Sequence, residues 1–459
     1  MKQKSIKRLF SQGLLFVTTM LILSSCGVYK KYSSKTTIPT DVYGKIDMDS
    51  TDNIAQYRWQ EIFVDPCLQK LIETALVNNI DVQTSLLNIE QAELNWKTSR
   101  LAYLPTMAFA PTINVGKTQG KEMDWGYNLG MQASWQLDIF GAGITNNKRK
   151  AKAAKECAEE YEKAVRCRLI SSVAQLYYEL MSIRRQYEIQ TNIVSLYEKT
   201  YESVNTLYEV GQYYSPAVHQ TKAQLESLRA GLYDLELSIY ATEHSLCQLM
   251  NESFHSIEHS TLEEFTLPIQ IQTGIPADLL KYRPDVRAAE RQIEMAYYDV
   301  NLSKGNLYPN IALSANGGWE QLTRFATDPQ QWFIQGIGSL VQPIFQGGKI
   351  RTDIKIKKID QQIAVLNFRK TVIDAGHEVG DAIQKCNACA NKAPHLTTQV
   401  QSLREAVLAT QELMNNGTAT YLEVLTSIQE LLQAEMAETR NKSDEAKATI
   451  KLYSALGGY

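Results

Sequence analysis

From Trp125 to Ile139 the chain alternates without a miss. Trp125, Tyr127, Leu129, Met131, Ala133, Trp135, Leu137 and Ile139 hold the odd positions, and Gly126, Asn128, Gly130, Gln132, Ser134, Gln136 and Asp138 the even ones. Period two places the two sets on opposite faces of a β-strand. Met107 to Val115 alternates in the same way, and Asn310–Glu320 and Gln331–Ile344 repeat the arrangement, the last less cleanly. A tilted strand crosses a bilayer in about 9–11 residues, the scale of these segments, and aromatic residues sit near their ends. A soluble hairpin packed on helices is the other solution to such a pattern, and it needs a large helical face to cover the apolar side.

A different period governs the stretches between the strands. Ile144 to Val210 contains no Gly and no Pro, the two strong helix breakers. Within it apolar residues recur at steps of four and three: Leu169, Val173, Leu176, Leu180, Ile183, Tyr187, then Gln190, Val194, Tyr197, Tyr201, Val204 and Tyr208. This is a heptad seam with one polar member, Gln190. Such a helix reaches about 100 Å at 1.5 Å per residue, far beyond a bilayer core of about 30 Å, and it is too polar to span one. It suits an aqueous gap. Gly211 turns the chain, and a second helix is expected from about Ala217 to Met250. The same plan recurs from Lys349 to Asn416 and from about Tyr421 to Leu456. There Gly376, Gly380 and Pro394 interrupt the pattern, and Pro394 is expected to kink or break the helix.

The recurrence is a duplication. Asn79-Ile80-Asp81-Val82-Gln83 matches Arg283-Pro284-Asp285-Val286-Arg287, and Tyr103-Leu104-Pro105 matches Leu307-Tyr308-Pro309, both at an offset of 204. Ile139-Phe140 matches Ile344-Phe345 at 205, and Gly211 matches Gly417 at 206. Four landmarks in one order at nearly one offset imply two copies of one unit. The organisation read from this is a first repeat over 61–270, with a strand pair at 106–140 and a hairpin tip near 211–216. The second repeat covers 271–459, with a strand pair at 309–345 and a tip near 416–420.

Composition narrows the function. The formal charge of -3 offers no basic surface for nucleic acid. Lys2, Lys4, Lys7 and Arg8 precede a mostly apolar Leu14–Leu23, and Leu23-Ser24-Ser25-Cys26 resembles a bacterial lipobox. Residues 1–25 therefore read as a removable leader, Cys26 as the lipidated residue, and 26–60 as an N-terminal anchor segment. Gly27, in place of an Asp, favours the outer membrane. No other segment has the roughly 18 consecutive apolar residues of a membrane helix, so any crossing falls to strands. Cys386 and Cys389 form a CxxC in helical sequence with no second pair, and His255 and His259 lack supporting ligands; neither reads as a metal site. No catalytic constellation and no cofactor motif stand out.

Taken in order, several fragments resemble the outer-membrane factor family of TolC-like channels, within it the OprM/NodT-type efflux lipoproteins. They are the lipobox at Cys26, Phe63-Val64-Asp65-Pro66-Cys67-Leu68, Tyr103-Leu104-Pro105, Trp135-Gln136-Leu137-Asp138-Ile139-Phe140-Gly141 and Arg283–Glu290. Gln342-Pro343-Ile344-Phe345, Tyr421-Leu422-Glu423-Val424-Leu425 and Ala455-Leu456-Gly457-Gly458 follow. The resemblance implies a mixed fold, a membrane β-barrel continued by a long α-helical coiled-coil tunnel. Each protomer supplies four strands, and a homotrimer closes 12. It also implies a periplasmic adaptor protein and an inner-membrane pump, commonly of the resistance-nodulation-division type. The hairpin tips are where such a channel docks its adaptor and closes its pore. Here they carry Gly211, Gln212 and Ser215, and Gly417, Thr418 and Thr420, with Tyr213, Tyr214 and Glu423 as gate candidates. Ser215 or Thr420 is expected to cap the helix that follows. The first tip has Ala217 where the family usually carries an acid. The reading is a non-enzymatic conduit for small toxic compounds or drugs. A channel for protein or peptide secretion is a second reading, and a pore-free coiled-coil scaffolding lipoprotein a third. A scaffold has no use for four amphipathic strands of membrane length.

Overall fold

The computed structural model describes residues 30–33, 58–116, 124–260, 282–321 and 331–458. The leader, Cys26 and most of the 26–60 segment lie outside them. The elements are α1 (Trp59–Ile62), α2 (Pro66–Asn78), α3 (Ile80–Leu101), β1 (Thr106–Phe109), β2 (Thr112–Gly116), β3 (Asp124–Leu137), α4 (Ile144–Glu209) and α5 (Ser215–Met250). They continue with α6 (Pro284–Gly305), β4 (Asn310–Gln321), β5 (Gln331–Val341), α7 (Lys349–Asn415) and α8 (Tyr421–Ala455). The order α3 to α5 is repeated by α6 to α8. Two compact units divide the chain, and each takes part of both repeats. One holds Asn88–Glu159 and Ala288–Arg369 with residues up to Thr36; the other holds Thr37–Leu87, Glu160–Arg287 and Lys370–Tyr459.

The first unit is built on one antiparallel sheet, in which β1 and β2 both pair with β3, then β4, then β5. The expected strand over 107–115 is split at Ala110-Pro111. Pro111 has no N–H to give to the ladder, but the register runs on unbroken, from Phe109↔Met131 in β1 to Thr112↔Asn128 in β2. Ala110 N–H still donates to Gly130 O at 3.0 Å. β1 and β2 are thus halves of one strand, and each chain contributes four. β3 stops at Leu137, two residues before the alternation ends, because Asp138 is taken by the next helix. Its carboxylate accepts from Gly143 N–H at 3.0 Å and Thr145 N–H at 2.7 Å, which caps α4. β5 likewise stops at Val341, short of the expected Ile344.

The second unit contains the hairpins. A core around Phe63, Leu68, Tyr177, Leu180, Leu246, Met250 and Tyr453 joins α1, α2, α4, α5 and α8, and a second cluster from Ile189 to Tyr197 packs on α8 and α7. Within the seam of α4, Leu169, Val173, Leu180, Ile183, Val194, Tyr197 and Val204 are buried, while Tyr208 is exposed. Gln190 is also buried: its Nε2 donates to Leu228 O at 2.8 Å, and a Cβ on Gly231 would overlap it. The polar seam residue is therefore a fitted one. Of the kink or break expected at Pro394, the break does not occur: α7 runs from Lys349 to Asn415 through Gly376, Gly380 and Pro394. Pro394 leaves Ala390 O, four residues back, without its helical donor; next to it Asn441 of α8 packs on α7, its Nδ2 donating to Cys389 O at 3.0 Å.

Both repeats close in the same way. Asn79 caps α3, accepting from Asp81 and Val82 N–H, and its Nδ2 donates to Leu249 O at 2.9 Å. Arg283, at the matching place before α6, donates to Ala455 O at 2.8 Å and pairs with Asp285 and Glu378. Asn251 ends α5 in a left-handed conformation (φ 54), and Gly457 after α8 does the same (φ 87).

Candidate functional site

The sheet's hydrogen-bond register decides which residues share a face. Odd residues of β1 to β4 pair with one another, and β4 odd residues pair with β5 even ones. One face therefore carries Met107, Phe109, Ile113, Leu129, Met131, Trp135, Leu313, Trp319, Trp332, Ile334 and Leu340, all of them exposed. The opposite face carries Asn128, Gln132, Ser134, Gln136, Ser314, Asn316, Gln335 and Ser339, with Phe333, Ile337 and Val341 on β5 breaking its polarity. An apolar surface of this extent, open to solvent in one chain, requires a covering phase. Among the described residues no helix is long and apolar enough to cross a membrane.

The two hairpin tips are built alike. Gly211 (φ 75) and Gly417 (φ 73) take the left-handed conformation that favours glycine, with nothing near where a Cβ would stand. Gly211 N–H bonds Tyr208 O and Gln212 N–H bonds Leu207 O, at 3.0 and 2.8 Å; Gly417 and Thr418 repeat this to Met414 O and Leu413 O, both at 2.9 Å. These are paired Schellman closures. Beyond them the tips differ. Thr420 and Glu423 form a capping box: Glu423 N–H donates to Thr420 Oγ1 at 3.4 Å, and Thr420 N–H to Glu423 Oε2 at 2.9 Å. In the first tip the capping position falls on Tyr214, which makes no side-chain cap, while Ser215 is already the first helical residue. Ser215 is therefore not the cap that its residue type suggested. Without a Ser or Thr at 214 there is no box for an acid at 217 to complete, and Ala217 is buried instead.

The two tyrosines part company. Tyr213 is half-buried, its ring 5.5 Å from that of Tyr421 at 73°, and it packs on Val204, Ala217 and Val218. Tyr214 is 85% exposed. Tyr421, which the sequence placed in a family fragment without a role at the tips, joins the hairpins: besides Tyr213 it reaches Gln220, its hydroxyl donating to Oε1 at 3.3 Å. Farther from the tips Tyr197 donates to Leu425 O at 3.1 Å, and burial pushes its hydroxyl up to about 12, so it stays a donor. Gln212, Ser215, Thr420 and Glu423 are exposed. Cys26 lies outside the described residues.

Among the described residues no three His, Cys, Asp or Glu side chains gather as a metal site. Cys386 and Cys389 are buried in α7 and burial raises both thiols, with Cys386 Sγ 3.8 Å from Thr449 Oγ1. His255 and His259 follow α5 in non-helical chain, each with Nδ1 near a backbone oxygen, Ser253 O and Ser260 O.

The sequence profile described as "Outer membrane efflux protein" matches residues 71–252 and again 275–458, one match for each repeat. The chain is 24% identical over 464 residues to the probable outer membrane lipoprotein SilC of Salmonella typhimurium, covering 98% of this chain and 99% of that one. It is 25% identical over 424 residues to the toluene efflux pump outer membrane protein TtgC of Pseudomonas putida, covering 88% and 85%. The open-state Neisseria gonorrhoeae MtrE outer membrane channel superposes with a TM-score of 0.82 at 22% identity, covering 94% of this chain and 97% of that one.

Proposed function

The chain belongs to the outer membrane efflux protein family, and from that premise we propose that it is the outer-membrane channel of a tripartite efflux pump. It is a conduit and catalyses no reaction. The observation that carries the reading is the register of the sheet, which collects the apolar residues of all four strands on one face. Lipid is the phase that covers such a face, and strands cross lipid only as a closed barrel. The edges of this sheet, β1/β2 on one side and β5 on the other, have no partner strand in the described chain. Four strands are fewer than the roughly eight of the smallest membrane barrels, so closure takes further copies, and three give twelve.

The long helices then form the periplasmic tunnel, Cys26 carries the lipid anchor, and the tips receive a periplasmic adaptor that links the channel to an inner-membrane pump of the resistance-nodulation-division type. The cargo class is small toxic compounds or drugs, as the names of relatives such as the toluene pump protein suggest. Purified protein in a planar bilayer tests the conduit. Stable ion-conducting steps together with a heat-sensitive trimer on gels are expected. A protein that stays soluble without detergent and conducts nothing is the scaffold instead.

A further inference from the structure

The two long helices begin with the same charge, and the channel reading does not use it. Ten of the chain's 47 Lys and Arg lie in residues 144–155 and 349–358, where even spacing would put about 2 (47 × 22/459). The first stretch holds Lys148, Arg149, Lys150, Lys152 and Lys155 with no acid; the second holds Lys349, Arg351, Lys355, Lys357 and Lys358 with only Asp353. Neither helix has an acid in its first turn. Cations there oppose the helix dipole, whose start is positive, so folding alone does not favour them.

Part of this charge is answered within the unit. Lys150 pairs with Asp299 at 2.7 Å, Lys152 with Glu156 at 3.2 Å, Lys155 with Glu93 at 3.4 Å and Lys357 with Asp360 at 3.1 Å. Among the described residues Lys148, Lys349, Arg351, Lys355 and Lys358 make no ion pair, and the last four are exposed. Lys148 lies over the Tyr103 ring at 5.1 Å, and Arg100 and Lys155 lie over Trp96 at 5.3 and 5.4 Å. A cavity of about 560 Å³ opens beside the first stretch, lined by Lys31, Lys148, Arg149, Lys152, Arg291 and Trp96. Glu156 and Glu294 are also on its wall, both held by Arg291 at 3.2 and 2.7 Å.

Each stretch follows a short turn after a strand that carries the exposed apolar face, β3 before α4 and β5 before α7. Cations with apolar stems, mixed with Trp and Tyr beside an apolar sheet, are the composition of a membrane–water interface. The headgroup layer is about 5–8 Å deep on each side of the hydrocarbon core. Twelve helical residues rise about 18 Å. The first turns therefore stand among the headgroups, and the far end of the stretch lies about 10–13 Å beyond them, close to a Debye length of about 8–10 Å.

We propose that the beginnings of α4 and α7 form a basic collar that binds the phosphates of anionic phospholipids in the leaflet next to the helices. This rests on the barrel reading of the sheet. The full-length protein, held in micelles with equimolar phosphatidylglycerol and phosphatidylcholine, is separated from free lipid, and the lipid it retains is measured by mass spectrometry. Wild type should retain phosphatidylglycerol over phosphatidylcholine by about tenfold, and about 0.5 M salt should abolish the preference. Changing Lys148, Lys349, Arg351, Lys355 and Lys358 to Gln should remove it. Changing Lys199, Lys222, Lys392, Lys442 and Lys451 to Gln, exposed cations of the other unit, should leave it intact. Equal retention of both lipids by wild type, or equal loss in both variants, overturns the collar. So does retention of soluble peptidoglycan fragments by the same cations in place of lipid. Insertion into pure phosphatidylcholine vesicles separates the two ideas: a protein that inserts and conducts but shows no lipid preference loses only the collar, and one that does not insert loses both.

Discussion

Asn79 and Arg283 meet one need with different chemistry. Each stands directly before the helix that opens the duplicated set, α3 or α6, and holds a carbonyl near the end of the same repeat's hairpin, Leu249 O or Ala455 O. Asn79 also caps its helix; in the second repeat Asp285 bonds Val286 N–H at 2.8 Å, and Arg283 is left to reach the carbonyl. Asp285 and Glu378 keep the guanidinium charged although it is buried. Gly457 allows the approach, since a Cβ there would stand 3.1 Å from Arg283 Cα. Arg283→Met should lower stability by about 2–4 kcal/mol, by stranding the Ala455 carbonyl and freeing two half-exposed carboxylates. Arg283→Lys should recover part of this, because a point charge cannot serve three acceptors in a planar fork. Thermal melts of the detergent-solubilised protein give the ranking, and a wild-type melting temperature for Arg283→Met would rule the network out as a source of stability. The matching offset of these residues was legible in the sequence. Their partners were not, because a backbone carbonyl leaves no trace in residue identity.

The four-strand, long-helix plan follows from two periods and the glycines, and it survives into the structure. The two places where the structure departs from the local pattern are both prolines. Pro111 splits a strand yet keeps its register, since Ala110 still bonds Gly130 O. Pro394 was expected to kink or break α7, and the helix runs through it without a break; Asn441, buried on α8, bonds Cys389 O five residues before it. No pattern within 349–415 reveals a donor at 441. The two positions make a cycle that can be measured. Asn441→Leu should cost about 1–2 kcal/mol by removing a hydrogen bond between buried helices, and about as much when Pro394 is replaced by Ala, because the N–H restored at 394 serves Ala390 O and not Cys389 O. A distinctly smaller cost in the Pro394→Ala background would mean that Asn441 compensates for the proline.

At the scale of the whole molecule the two faces of the sheet and the two tips carry the functional claims. Leu129 and Met131 lie on the apolar face, Asn128 and Gln132 on the other. An Arg on the lipid side near the bilayer midplane costs about 2–4 kcal/mol, and little in a water-filled lumen. Leu129→Arg should therefore block assembly and Gln132→Arg should not; the reverse ranking on heat-modified gels would put lipid on the polar face. The tips demand a finer test, because the same residues serve as turns. Gly211 and Gly417 have open space around them, so a side chain meets only the cost of a left-handed backbone, about 1–2 kcal/mol. That is too little to unfold a protomer held by the long helical clusters, but it alters a small docking surface. Gly211→Leu and Gly417→Leu should leave trimers in the outer membrane while lowering export and crosslinking to the adaptor. The structure also separates the gate candidates that sequence alone treated as a pair. Tyr213 is engaged with Tyr421 and the tip cluster, so Tyr213→Ala should loosen the junction between hairpins. Tyr214 projects into solvent, and only a ring so placed can narrow a pore built from several copies. Tyr214→Ala should raise single-channel conductance or sensitivity to large antibiotics without destabilising the protein. Unchanged conductance in that variant, together with full export by both glycine variants, would leave the tips as ordinary turns and move gating and docking elsewhere on the helices.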